Sequence, residues 1–94
     1  MKTFEELWND CENSQVQLTS SDFNSLLDEI SLKINMIKNI NNKIQSVEAK
    51  KEAIEFMYGE MLYTMTGISL IENINVYPLM NKVLQDKLKG NSSQ

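Results

Sequence analysis

The stretch FNSLLDEISLKINMIKNINNKI, residues 23–44, decides the fold, because its apolar side chains recur at 23, 27, 30, 34, 37 and 44. Alternating steps of four and three are the spacing of one packed face of an α-helix. Written as heptads, Phe23, Ile30, Ile37 and Ile44 form one column, while Leu27, Ile34 and Asn41 form the other, so one core-facing position is polar. Asn41 in such a column can fix register or oligomeric state in a coiled coil; at a hairpin tip it simply faces water.

After Ile44 the phase slips, and Val47, Ile54, Tyr58, Met61, Met65 and Ile68 form a second seam out of step with the first. A slip of this kind is either a stammer in one continuous helix or a turn. The region from Asn39 to Ser46 favours a turn, since Asn tolerates left-handed geometry and Ser46 can cap a new helix. A single helix from 21 to 66 would run about 69 Å, awkward for so small a chain unless it dimerises along its length. The expected fold is therefore all-α, a small helical hairpin or bundle whose long helices span about 21–45 and 46–66, with a coiled coil as the continuous alternative.

Toward the N-terminus, Thr3 can cap a helix with Glu6 three residues on, and Phe4, Leu7, Trp8 and Cys11 repeat at i, i+3, i+4 and i+7. A short amphipathic helix is expected over about 4–13. It is too short to hold alone, so Phe4 and Trp8 must dock on something. The polar stretch from Glu12 to Gln17 connects it to the hairpin, where Thr19, Ser20 or Ser21 can cap and Asp22 suits the positive first turn.

Toward the C-terminus, Gly67 suits a left-handed cap on the second long helix, and Ile68 to Tyr77 reads as a linker packed on the core. Pro78 fits the first turn of a last helix over about 77–89, with Leu79, Val83, Leu84 and Leu88 on one face and Gly90 just past its end. The organisation expected is one helical domain over 1–90 and a flexible tail over 91–94.

Composition narrows the function. At 41% hydrophobic and 23% charged the chain should fold, and its charge of -4 with nine Lys and no Arg lacks the bidentate forks that read phosphate and guanine. No nucleic acid is expected as a partner. The absence of His removes the commonest general base and metal ligand. Glu5, Glu6, Asp10 and Glu12 lack the spacing of a calcium loop and read as a solvated face, and the three Gly are too isolated for a phosphate loop. The expectation is no enzyme, no cofactor, no metal and no small-molecule substrate. A single Cys11, an N-terminus without a signal-peptide-like apolar run, and no segment apolar enough to cross a bilayer lead to a cytoplasmic protein that does not enter membranes.

What remains is a protein partner. On a helical wheel of residues 53–65, Ile54, Tyr58, Met61, Leu62 and Met65 make a core stripe, while Phe56 and Tyr63 point nearly opposite, with Gly59 beside them leaving room for another backbone. That second face either lies beneath the chain's own first or last helix or receives another molecule. Phe56, Gly59, Tyr63, Asn41 and Trp8 are the candidate partner-binding residues. A chain of this size removes only about 60–65% of its unfolded surface on folding, so a homodimer or hetero-complex is expected. The functional expectation is a small acidic protein-protein interaction module of regulator, inhibitor, immunity or chaperone type that occludes a partner, or alternatively a structural subunit of a larger helical, coiled-coil assembly.

Overall fold

The computed structural model describes residues 1–92, and these form α1 (Phe4–Asn13), α2 (Phe23–Lys43), α3 (Val47–Ile71) and α4 (Val76–Ser92), with a 3-10 turn at Ser20–Asp22. The described residues contain no strand, so the fold is all-α. Helix α1 starts on the capping box read from the sequence: Thr3 Oγ1 accepts from Glu6 N–H at 3.1 Å while Glu6 Oε1 accepts from Thr3 N–H at 3.2 Å.

The phase slip is a turn. Helix α2 ends at Lys43, Ile44 is extended, and Ser46 Oγ accepts from Ala49 N–H at 3.4 Å at the start of α3. So short a connection makes α2 and α3 an antiparallel hairpin, and α1 packs on α3. The seam of the hairpin differs from the heptad reading by one residue in its second column. Its half-buried or buried positions are Phe23, Leu26, Ile30, Lys33, Ile37 and Ile40 on α2 and Ile44 just past its end, whereas Leu27, Ile34 and Asn41 are exposed. The adjacent apolar pair Leu26–Leu27 leaves the register open to either reading. Pairing through Leu26 turns Ile40 inward in place of Asn41 and so avoids burying an amide, while the Lys33 stem can lie along the seam with its ammonium in water. On α3, Ile54, Met61 and Ile68 are half-buried, but Val47, Tyr58 and Met65 are exposed.

Helix α3 runs four residues beyond Gly67, correcting the expectation that it caps there. No glycine among the described residues has a positive φ; the left-handed residue is Asn73, at φ 53°. Ile74 N–H donates to Ser69 O at 2.9 Å and Asn73 N–H to Leu70 O at 3.3 Å, the paired closure of a Schellman motif. Gly67 is instead helical and buried because of what crosses it: a Cβ there would lie 2.7 Å from Gln15 Oε1 and 2.9 Å from Leu18 Cδ1. The linker is correspondingly short, and α4 begins at Val76 with Pro78 in its first turn, where an N–H has no helical acceptor. Gly90 lies inside α4 rather than after it, and the tail expected from Asn91 is helical to Ser92; Ser93 and Gln94 lie outside the described residues.

The fold is open. Its accessible surface is 7314 Å² for a 10.8 kDa chain, where a compact monomer of that mass exposes about 5,500 Å². Its radius of gyration is 16.1 Å against about 12 Å for a compact chain of this length. Helix α4 accounts for much of this: Val76 and Tyr77 are half-buried, and every residue from Pro78 to Gly90 is exposed. No described helix is long and apolar enough to cross a membrane.

Candidate protein-binding surface

The best-buried part of the molecule is a polar lock between the end of α1 and the C-terminal half of α3. Gln15, only 6% exposed, donates through Nε2 to Thr66 Oγ1 at 2.7 Å, to Cys11 O at 3.1 Å and to Tyr63 O at 3.2 Å. Thr66, 2% exposed, donates onward to Tyr63 O at 2.6 Å, and Ser69 Oγ lies 3.0 Å from Glu12 Oε2. Small residues make this possible: Thr64, Thr66, Gly67 and Ser69 let α1 and the following loop approach α3 closely enough to bond its backbone. Buried amides and hydroxyls are tolerated here because each has a partner.

Above this lock, toward the hairpin tip, α3 presents the second apolar face read from its sequence. Phe56 is 63% exposed and Tyr63 is 42% exposed, so Phe56 stands largely uncovered and Tyr63 is only partly covered. A Cβ at Gly59 would meet nothing within 4 Å. Phe56, Gly59 and Tyr63 line one shallow groove together with Glu55 and Glu60. An adjoining apolar groove of about 280 Å³ is walled by Phe4, Leu7, Trp8 and Cys11 of α1 and by Gly59, Leu62, Tyr63 and Thr66 of α3. Four of the five candidate residues thus fall into two groups that share Gly59 and Tyr63, with Trp8 on the α1 wall. The Tyr63 hydroxyl lies 2.6 Å from Ser14 Oγ, which anchors the ring's edge. Asn41 stands apart, exposed in the last turn of α2 near the hairpin tip.

Trp8 also faces the root of α4. The Phe4 ring lies 5.9 Å from Trp8 and 6.3 Å from Tyr77, the latter edge-on. Beside them Glu5, Asn9, Glu12, Asn73 and Asn75 line a polar cleft of about 530 Å³. Trp8 Nε1 and the Tyr77 hydroxyl oxygen are shielded from solvent with no hydrogen-bond partner. That shielding, with the carboxylates of Glu5 and Glu12 adding to it, pushes the Tyr77 hydroxyl above its ordinary pKa. Among the described residues no three acidic or thiol groups converge as metal ligands would.

Two features escaped the sequence. Gln15 sits in a polar stretch with no periodicity, and nothing in the chain marks it as buried. The α4 stripe was legible as a helix face, but its state was not: Leu79, Met80, Val83, Leu84 and Leu88 are each 49–57% exposed. The chain matches no protein-family model, no characterised protein and no solved structure.

Proposed function

We propose that this chain is a non-enzymatic protein-protein interaction module, a small regulator of inhibitor, immunity or chaperone type that binds a partner protein in the cytoplasm and occludes part of its surface. One observation carries this reading: many large apolar side chains, among them Phe56, Tyr63, Leu79, Met80 and Leu84, are 42–63% exposed, while the one buried large hydrophobic side chain among the described residues is Leu26. Exposed apolar side chains clustered on one helix face are a feature of association surfaces. The groove of Phe56, Gly59 and Tyr63 suits the helix-in-groove mode, in which a partner's apolar stripe lies along α3 and Gly59 admits its backbone. The free thiol of Cys11 fits a reducing compartment. A second reading, a structural subunit of a larger helical assembly, is favoured by α4, whose apolar stripe projects from the body.

The test is capture from a lysate of the source cells on immobilised protein. The double variant Phe56→Ala with Tyr63→Ala should keep its helical circular dichroism and lose the captured partner. Unchanged capture, or collapse of the helical signal, would contradict the reading.

A further inference from the structure

We infer that the groove of Phe56, Gly59 and Tyr63 is occupied by α4 of a second copy of this chain, exchanged reciprocally so that each α4 lies on the other's body. The inference rests on the reading of that groove as a binding surface and names its occupant.

Helix α4 must dock somewhere. A 17-residue helix with no packing is marginal in water, and here the whole apolar stripe from Leu79 to Leu88 is uncovered. It is held away from its own body at its root. Asn73 and Ile74 close the end of α3 by backbone hydrogen bonds, Tyr77 packs edge-on against Phe4, and Val76 and Tyr77 are half-buried there. The stripe spans about 14 Å of helix, comparable with the groove along α3 from Glu55 to Tyr63 at about 12 Å.

Charge matches the two surfaces. Helix α4 carries Lys82, Lys87 and Lys89 against Asp86, a net +2, whereas the rest of the chain carries six Lys against twelve acids, a net -6, together giving the formal -4. Lys87 stands within the stripe itself, alongside Leu79, Met80, Val83 and Leu84. A cation on an apolar docking face needs an anion opposite it. The groove supplies two at its edge, Glu55 and Glu60. Glu55 already lies 3.9 Å from Lys51, which leaves Glu60 for Lys87.

The area agrees as well. Each chain exposes about 1,800 Å² more than a compact monomer, so covering that excess on both copies would bury about 3,600 Å², within the range of obligate homodimers. Both faces sit on one chain, so a two-fold pairing satisfies both at once.

Sedimentation equilibrium of the full chain over a range of concentrations tests this. The wild type should have twice the monomer mass. Lys87→Glu and Glu60→Lys should each raise the dimer dissociation constant by roughly tenfold or more, through repulsion at both exchanged contacts. Mixing the two variants should restore a tight heterodimer, because the two reversed charges then face each other across one contact while the other contact keeps its native pair. A wild-type dimer indifferent to both reversals would overturn the exchange and leave the interaction reading standing. So would a wild-type monomer that captures a different protein through Phe56 and Tyr63. A monomer in which the Phe56→Ala, Tyr63→Ala variant unfolds would overturn both.

Discussion

The two halves of α3 invert the usual distribution of side chains. Its C-terminal half buries Thr64, Thr66, Gly67 and Ser69, while its N-terminal half exposes Phe56 and Tyr58, and Tyr63 stands at the boundary, partly exposed. The difference lies in what crosses each half. Small residues let the Ser14–Leu18 loop and α1 lie directly on the backbone, where the two N–H donors of Gln15 are shared among three acceptors. Phe56 and Tyr58 stand proud of the other half, each more than half exposed. The polar half is where this molecule is finished by its own folding; the apolar half is where another chain would finish it.

Substitutions can break this contrast from either side. The largest effect is expected at Gln15→Ala, which removes the shared donor of a buried network and should cost about 2–3 kcal/mol in chemical denaturation. Gly67→Ala follows. Its Cβ collides with Gln15 and Leu18, so that despite better helix propensity it should lower stability by about 1–2 kcal/mol. Gly59→Ala is the matched control: the same change on the same helix meets open space and should stabilise the chain in dilute solution by up to about 1 kcal/mol. A loss at Gly59, or none at Gly67, would remove the distinction between the two halves.

Phe56→Ala is expected to change the stability of the dilute protein by less than about 0.5 kcal/mol, because its ring is mostly in solvent before it is removed. Smallest is a pH effect at the root of α4. Tyr77 is neutral below its pKa, and shielding makes its folded pKa higher than its unfolded one. Its contribution is therefore intact at neutral pH and is lost as pH rises past the ordinary tyrosine range toward the raised value. Absorbance titration at alkaline pH should show a tyrosine phase above the ordinary range, and Tyr77→Phe should remove it.

The helices were largely legible because their signals are local. The Thr3–Glu6 box set the start of α1, and the phase slip with Ser46 placed the hairpin turn. Where the reading failed, the deciding force was tertiary. Gly67 looks like a cap in isolation, yet its missing side chain serves the passage of Gln15 and Leu18, and the left-handed position falls to Asn73. Leu26 and Leu27 are equally apolar, and the preference for Ile40 over Asn41 further along the seam decides between them. On the candidate site, the opposed face of Phe56, Gly59 and Tyr63 was visible on a wheel. Whether the chain covers it depends on where α1 and α4 go, which no local pattern encodes.

The most direct test of the central claim, that these apolar faces are completed by association, is amide hydrogen exchange at increasing protein concentration. Protection of α4 from Pro78 to Gly90 and of α3 from Glu55 to Tyr63 should rise together with concentration, while the lock around Gln15 and Thr66 stays protected throughout. Protection of α4 and the groove that is already complete in a dilute monomer would contradict it.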